Sequence, residues 1–364
     1  MRNIFLVKSP LQLLNAVEAK HHFRIDDDDC ILVIMGDRKS YPQLMSLSAV
    51  NQQWRNVLLI NNISLLPGNP LKGQNMGHGY VNSRRKTLLR SSFFTIWRLN
   101  RLAKFLENVE RIFIGDYNYV YMRHMINTVR HKHTVLLDDG TATVEVARMR
   151  LEMEFDEPAY NVKKRAKLVA KQFFQGLKSK PPEKLCFFTA FELEVNLNDK
   201  IVKNYFQFLK NESQSLALID SVYFLGSPLV ETGVMIKQGY LDQLSMVNDF
   251  FKGKEVVYVA HRREDKEKLA QIQKELNMKI CIFDYPIEYQ VAILGPTPKV
   301  VASFICSALD NLRVIMDKKL KIISFKLIDG SYLKEDRVNA IYDYYDLNLS
   351  DNFCLQSLEN IDDS

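Results

Sequence analysis

Short runs of apolar, mostly β-branched residues alternate along the chain with longer amphipathic or charged stretches. Runs that are apolar throughout are typical of strands buried on both faces of a sheet. Helical periodicity fills the intervals between them, as in Leu11–Lys20, Phe93–Leu106 and Asp265–Leu276. The alternation predicts an α/β fold with parallel sheets. The predicted strands are Ile4–Val7, Ile31–Met35, Val57–Ile60, Arg111–Gly115, Thr134–Leu137, Ser221–Gly226, Glu255–Ala260, Lys279–Phe283, Lys299–Ser303 and Lys321–Phe325.

The same alternation occurs in both halves of the 364 residues, although no sequence repeat links the halves. This length is sufficient for two domains, each with its own core. The chain is polar and weakly patterned between about Glu192 and Asp220. We therefore predict two Rossmann-like domains in tandem, residues 1–195 and 196–364, with sheets that face a central cleft.

Composition narrows the environment and the partners. No apolar run is long enough to span a bilayer, and the apolar start ends at Lys8, too early for a signal peptide. We therefore expect a cytoplasmic protein. The five cysteines show no regular spacing, which favours free thiols. A net charge of +6 suits an anionic ligand or a phospholipid surface and falls short of the basic stripe of a nucleic-acid binder.

One segment, residues 145–180, is rich in lysine and arginine, with Phe173, Phe174 and Leu177 among the charges. Two interpretations stay open. The segment is either a solvated helix face with a few core anchors, or an interfacial helix that contacts anionic lipid at the inner membrane. Its positive residues include Arg148, Arg150, Lys163, Lys164, Arg165, Lys167, Lys171, Lys178 and Lys180.

Ligands of parallel sheets bind at the carboxyl ends of strands, so polar residues directly after each run are candidates. Ser9 and Pro10 follow the first run, where they are suited to cap and start a helix, and Gln12 lies in its first turn. Asp116 and Asn118 follow the fourth run. Each could hold a ligand through free backbone N–H groups or side chains, or could be only a cap or a turn.

Two adjacent carboxylates, Asp138 and Asp139, follow the fifth run and precede Gly140. A carboxylate desolvated at a cleft has a raised pKa and can act as a general base toward a sugar hydroxyl. The alternative is an Asp-Gly turn with a helix cap.

In the second half His261 ends a run and is followed by Arg262 and Arg263, a combination that suits an anionic phosphate leaving group. Glu288 falls in a predicted first helical turn, where a carboxylate can bind a ribose diol or complement the helix dipole. No metal-binding histidine spacing is present, so no metal or other cofactor is expected. A further turn with polar side chains contains Ser303, Cys306 and Ser307.

Taken in order, these motifs resemble those of bacterial sialyltransferases of lipooligosaccharide and capsule synthesis, including polysialyltransferases. The resemblance rests on Lys8-Ser9-Pro10-Leu11-Gln12, Asp138-Asp139-Gly140, Phe224-Leu225-Gly226-Ser227-Pro228, His261 and the turn from Ser303 to Ser307. It implies a GT-B fold and a metal-independent, inverting transfer of a sialic or related nonulosonic acid from a CMP-activated donor to a glycan or glycolipid acceptor.

The resemblance also implies roles for single residues. Asp138 or Asp139 would be the base, His261 would contact the CMP phosphate, Glu288 would hold the ribose, and Cys306-Ser307 would stand where the family has two hydroxyls. The family usually has His-Pro where this chain has His261-Arg262. These departures are compatible with a CMP-activated donor but weaken the case for sialic acid itself, and they leave open a related nonulosonic acid such as legionaminic or pseudaminic acid. A non-catalytic sugar-nucleotide-binding partner, or a transferase that uses a UDP- or GDP-sugar, remains the alternative.

Overall fold

The computed structural model describes residues 2–36, 40–50, 54–60, 87–152, 176–213, 216–316, 319–333 and 335–359. The chain divides into two compact units, Met1–Asn204 and Tyr205–Ser364. The division lies within the polar stretch between Glu192 and Asp220 and beyond residue 195, because a strand at Lys200–Lys203 pairs with one at Cys186–Thr189 and so belongs to the first unit.

The first unit contains a seven-stranded sheet in the order β3-β2-β1-β4-β5-β6-β7, and every pair in it is parallel. Its central strands are buried along almost their whole length, as the continuous apolar runs predict. The strands are β1 (Arg2–Val7), β2 (Cys30–Ile34), β3 (Asn56–Leu59), β4 (Val109–Ile114), β5 (His131–Leu137), β6 (Cys186–Thr189) and β7 (Lys200–Lys203).

The helices of this unit connect the parallel strands. The first begins as its sequence predicts, because Ser9 is the N-cap, its Oγ accepts the N–H of Gln12, and Pro10 opens the first turn. The helices are α1 (Pro10–His22), α2 (Tyr41–Val50), α3 (Thr87–Phe105), α4 (Val120–Ile126) and α5 (Thr141–Leu151).

The second unit contains a six-stranded parallel sheet in the order β10-β9-β8-β11-β12-β13. Its strands are β8 (Leu218–Leu225), β9 (Glu255–Val259), β10 (Lys279–Cys281), β11 (Thr297–Ser303), β12 (Lys321–Lys326) and β13 (Phe353–Ser357). Its helices are α6 (Gln207–Glu212), α7 (Lys237–Phe250), α8 (Lys266–Glu275), α9 (Ile287–Tyr289), α10 (Ser307–Met316) and α11 (Glu335–Asp346). A π-helical turn, Gln290–Leu294, continues α9.

Both sheets have a doubly wound strand order. In each sheet, the first strands are added on one side of a central strand, and the later strands are added on its other side. The reversal falls between β1 and β4 in the first unit and between β8 and β11 in the second. The crevice outside the carboxyl ends of these strands is where such sheets bind ligands. The prediction of an α/β fold with two Rossmann-like sheets is confirmed.

All ten predicted strands are present, with ends that shift by a few residues. Three strands, β6, β7 and β13, were not predicted. Each is short and ends in or contains polar residues, so none of them gives a continuous apolar run.

Candidate functional site

At the reversal of the first sheet, the ends of β1, β4 and β5 bring together side chains that are far apart in sequence. Ser9 Oγ donates a hydrogen bond to Asp139 Oδ1 at 3.3 Å. The Lys8 ammonium, directly after β1, forms an ion pair with the carboxylate of Asp116, directly after β4. The structure thus places the predicted residues Ser9, Asp116 and Asp139 in one network with Lys8.

Gln12 lies beneath this network. It is fully buried, and its Oε1 accepts the Lys8 N–H at 2.8 Å. A Cβ on Gly115 would lie 2.2 Å from Gln12 Oε1, so only glycine allows β4 to approach the side chain this closely. Gln12 and Pro10 are both buried in α1, where they shape the turn after β1.

The two adjacent aspartates have different surroundings. Asp138 is 1% exposed, and its Oδ2 accepts the N–H of Ala190, directly after β6, at 2.8 Å. Its backbone oxygen accepts a hydrogen bond from the Asn15 side chain at 3.1 Å. Burial raises the pKa of Asp138 to about 7, while Thr189, the Ala190 N–H and Thr143 act in the opposite direction. Asp138 therefore joins β5 to β6.

Asp139 is only half-buried, and its backbone N–H donates to Thr143 Oγ1 at 2.9 Å. Burial raises the pKa of Asp139, and the negative charge of Asp116 adds to this shift. Hydrogen bonds from Gln12 and Ser9 and the positive charge of Lys8 oppose it. Gly140 follows with φ of +66°, a conformation that favours glycine, and this turn starts α5. Asp139 is thus a carboxylate with a raised pKa and a hydroxyl partner, and part of it faces solvent.

Asn118 lies at the rim of this network. Its backbone N–H donates to Asp116 Oδ1 at 2.8 Å, and its own side-chain oxygen accepts from Arg123 at 3.1 Å. Tyr119 lies next to it, with the Lys8 ammonium 5.2 Å from its ring centroid. Asn118 itself is exposed, and these two hydrogen bonds order the loop after β4.

In the second unit, His261 lies in the turn after β9, half-buried beside Arg262 and Arg263. Its Nδ1 accepts the Arg263 N–H at 3.2 Å, so a neutral imidazole carries its proton on Nε2. Burial, together with the positive charges of Arg262 and Arg263, lowers the pKa of His261 to about 4. His261 is therefore a neutral hydrogen-bond donor at physiological pH, flanked by two cations.

A buried ionic cluster lies beneath this turn. The Glu264 carboxylate accepts hydrogen bonds from the His261 backbone N–H and the Tyr258 hydroxyl. It also forms an ion pair with the ammonium of Lys268. Lys268 also contacts Glu231 and the backbone oxygen of Ser227. The side chains of Glu264 and Lys268 are 0% and 1% exposed. The strand ends of β8 and β9 are thereby tied together.

Ser227 and Ser303, predicted to bind ligand, are both buried. Ser303 Oγ donates to Leu225 O at 2.7 Å, and Ser227 Oγ donates to Ile305 O at 2.5 Å. A Cβ on Gly226 would lie 2.3 Å from Glu264 Oε2, so that turn needs glycine. Both hydroxyls already have backbone acceptors, so the two serines hold β8 against β11, and the half-buried Cys306 and Ser307 form the start of α10.

Glu288 is buried on α9, where its Oε1 accepts the Asn311 side-chain N–H from α10 at 2.9 Å. Burial raises the pKa of Glu288, and the hydrogen bond from Asn311 opposes part of this shift. Cys306 lies within electrostatic range of Glu288, and burial raises the pKa of this thiol to about 12. The structure thus groups Glu288, Asn311 and Cys306 at the α9–α10 junction.

The basic segment 145–180 falls mostly outside the described residues, since 153–175 are not among them. Where it is described, Arg150 corrects the prediction of a solvated or lipid-facing charge. Arg150 is buried in an ion pair with Asp199, with Nε to Oδ2 at 2.6 Å and Nη2 to Oδ1 at 2.7 Å. It also donates to the Tyr117 hydroxyl at 3.0 Å. Across the described ranges, no helix is long and apolar enough to cross a membrane.

The sequence interpretation missed several residues of both networks. Thr143 and Ala190 partner the aspartates, and Glu264, Lys268 and Glu231 support the His261 turn. One signal was available, because Glu264 and Lys268 have opposite charges and are four residues apart, one just before a helix and the other in its first turn. In the part of the chain that the structure describes, no group of three or more His, Cys, Asp or Glu side chains is arranged to hold a metal ion. The described cysteines form no disulfide.

Comparison with known proteins supports the fold. No protein-family model matches the sequence, and no curated protein matches it significantly. Among solved structures, a 2,6-sialyltransferase from Photobacterium sp. JT-ISH-224, in complex with CMP and lactose, is similar with a TM-score of 0.50 at 12% identity over 98% of this chain and 78% of that chain.

Two further structures are more distant. A UDP-GlcNAc 2-epimerase from Methanocaldococcus jannaschii has a TM-score of 0.48 at 12% identity, covering 99% of this chain and 90% of that chain. A sialyltransferase from Photobacterium damsela has a TM-score of 0.43 at 11% identity, covering 97% and 80%. The two parallel sheets, together with the similarity to the Photobacterium sp. JT-ISH-224 enzyme, show that the chain has the GT-B fold. That fold serves more than one chemistry, so activity has to be argued from the site residues.

Proposed function

We propose that the chain is an inverting glycosyltransferase that moves a sialic or related nonulosonic acid from a CMP-activated donor to a glycan hydroxyl. The observation that carries this proposal is the state of Asp139. It is a half-buried carboxylate at the reversal of the first sheet, its pKa is raised by burial, and Ser9 holds it in place. Such a group is suited to take a proton from a sugar hydroxyl.

In this proposal, the first unit binds the acceptor and the second unit binds the donor nucleotide. Asp139 accepts the proton of the acceptor hydroxyl, and that oxygen forms a bond to the anomeric carbon of the donor sugar. The bond from this carbon to the phosphate oxygen breaks, and CMP leaves with the electron pair. One displacement of this kind inverts the anomeric centre.

His261 is assigned to the departing phosphate. Its Nε2–H is a donor, because Nδ1 is occupied by the Arg263 N–H. A donor aimed at a developing anion stabilises the transition state without any proton transfer. Arg262 and Arg263 add positive charge to the same turn. In the proposal, these side chains and His261 stabilise the negative charge of the leaving phosphate without a metal ion.

The geometry favours Asp139 over Asp138 as the base. The Asp138 carboxylate is closed off beneath the strand ends and accepts the Ala190 N–H, whereas Asp139 reaches solvent. Glu288, next to Asn311, is assigned to the donor ribose, and Ser307 at the start of α10 to the phosphate. Ser227 and Ser303 are assigned to positioning, because both hydroxyls donate to backbone oxygens.

A thermal-shift and calorimetry series with CMP, UDP and GDP tests the donor assignment. A ligand that binds only the folded chain at a concentration of 100 times Kd stabilises it by about 2.7 kcal/mol. The similar Photobacterium enzyme was crystallised with CMP, so CMP is the first nucleotide to test. We expect CMP to raise Tm more than UDP or GDP. Stabilisation by UDP or GDP alone would replace the CMP donor with another sugar nucleotide.

If all three nucleotides leave Tm unchanged, the proposal fails for the second unit as a whole.

The proposed enzyme is cytoplasmic and acts on precursors of surface polysaccharide or lipooligosaccharide. A chain that binds CMP but releases none from any activated sugar would be a non-catalytic binding partner in that assembly.

A further inference from the structure

The ionic cluster beneath His261 is built around one lysine whose hydrogen bonds are all used. The ammonium of Lys268 contacts Glu264 Oε1 at 2.8 Å, Glu231 Oε2 at 3.1 Å and the backbone oxygen of Ser227 at 3.3 Å. Its three N–H groups are thus matched by three acceptors. The ring centroid of Tyr240 lies 4.4 Å from the same ammonium.

Glu264 connects this lysine to the His261 turn. Its Oε2 accepts the backbone N–H of His261 at 2.6 Å, and its own N–H donates to the His261 backbone oxygen at 2.9 Å. Its Oε1 accepts the Tyr258 hydroxyl at 2.6 Å. Glu264 and His261 are therefore joined by two hydrogen bonds that close the turn between them. The Glu264 carboxylate is completely shielded from solvent.

The cluster also reaches the neighbouring strand end. The hydroxyls of Tyr258 and Tyr240 lie 2.8 Å apart, and Tyr240 accepts the N–H of Ser227 at 3.5 Å. Together with the contact from Lys268 to Ser227, this fixes the turn after β8 to the turn after β9. Burying two carboxylates and a lysine is costly unless every group is paired, and here each has its partners.

We propose that Glu264 is a positioning residue, which fixes the backbone of His261 so that the imidazole presents Nε2–H to an anionic phosphate. The Glu264 carboxylate does more than fill space in the core, because it accepts the backbone N–H of His261. An apolar side chain would fill the same space, but only an acceptor at this place orients the His261 N–H. The inference rests on the proposed role of His261 as the phosphate contact.

The matched comparison is Glu264→Met against Glu231→Met. Each removes one carboxylate from the same buried cluster, and each leaves Lys268 paired with the remaining one. Only Glu264→Met removes the acceptor of the His261 N–H. Hydrogen exchange of the His261 amide, followed in ¹⁵N-histidine-labelled protein and assigned with His261→Gln, reports this bond without any substrate.

We expect Glu264→Met to speed exchange of the His261 amide by about tenfold or more and to weaken CMP binding by about tenfold. Glu231→Met should change each by less than about threefold, and Glu264→Gln, which restores an oxygen acceptor, should recover part of the protection. Should Glu264→Met fail to fold, Tyr258→Phe removes one of the other bonds to Glu264 and should give a smaller increase in exchange.

Equal exchange and equal CMP affinity in the two methionine variants would overturn the inference, and the proposed function would stand. Failure of the proposed function gives a different pattern. In that case the wild-type chain binds no CMP, while the exchange comparison still shows whether Glu264 holds the turn.

Discussion

Ser9 Oγ donates a hydrogen bond to Asp139 Oδ1 across 130 residues of sequence, at 3.3 Å. This contact joins the ends of β1 and β5 on the two sides of β4, at the reversal of the first sheet. It also orients Asp139, the half-buried member of the adjacent pair. Asp139 is accordingly the proposed base, and Asp138, which accepts the Ala190 N–H, is a structural residue in the proposal.

Asp139→Asn should lower kcat by about 10²–10⁴-fold, because the amide cannot accept the proton of the acceptor hydroxyl. Asp138→Asn should keep turnover within about tenfold of the wild type, since an amide oxygen can still accept the Ala190 N–H. Steady-state CMP release from both variants checks this, with CMP affinity as the control for an intact second unit. The reverse order of the two effects would make Asp138 the base.

His261→Ala should lower kcat by about 10²–10³-fold, as expected on loss of a donor to a developing anion. His261→Gln places an amide N–H near the position of Nε2 and should retain at least about ten times the turnover of the alanine variant. His261→Asn places its amide near Nδ1, so it serves as the matched control and should behave like alanine. Equal turnover in all three variants would remove Nε2–H from the mechanism.

Asp310 gives a prediction on stability. Both of its carboxyl oxygens are buried and have no hydrogen-bond partner among the residues that the structure describes, and burial raises its pKa from 3.8 to about 7. A carboxyl with a raised pKa stays protonated in the folded chain at pH values where the unfolded chain has already lost the proton. Its contribution to stability is therefore present below about pH 4 and is lost as pH rises to about 7.

Asp310→Asn should accordingly raise the free energy of unfolding at pH 8 by on the order of 2 kcal/mol and change it much less at pH 4. Denaturant melts at both pH values measure the difference. Asp220→Asn is the control, because Asp220 is exposed in an ion pair with Lys299 and should shift stability by less than about 0.5 kcal/mol. A gain from Asp310→Asn that is the same at both pH values would contradict the assignment.

Arg150→Met should destabilise the first unit by about 3–5 kcal/mol, because it leaves the Asp199 carboxylate buried without its cation. The pair holds α5 to the segment between β6 and β7, and Asp199 also accepts the Leu185 N–H at 2.9 Å. Thermal unfolding checks the effect. Lys180→Met, in an exposed pair with Glu183, should lose less than about 0.5 kcal/mol.

The central strands could be predicted from the sequence because both their faces are buried, which leaves continuous apolar runs such as Ile4–Val7 and Ile31–Met35. β7 and β13 could not be predicted in this way. They lie at the edges of their sheets, where one side has no neighbouring strand and polar residues are tolerated, as in Lys200–Lys203.

The site was predictable only in part, for a similar reason. Strand ends identify where polar residues gather, and on that basis the sequence predicts Ser9, Asp116, Asp139 and His261 as candidates, each of which follows a strand in the structure. Which member of the Asp138–Asp139 pair turns inward depends on a free N–H at Ala190, which comes from β6. The cluster around Lys268 likewise depends on tertiary approach, and no local pattern reveals that its charges are buried.

The most direct measurement is CMP release from the purified chain with a panel of CMP-activated nonulosonic acids and glycan acceptors, with the product identified by mass spectrometry. We predict that CMP appears in step with one inverted glycoside, and that Asp139→Asn slows the formation of both by about 10²–10⁴-fold while still binding CMP. Release that is equally fast in Asp139→Asn, or the absence of any glycoside from every donor and acceptor pair, would contradict the proposed transfer.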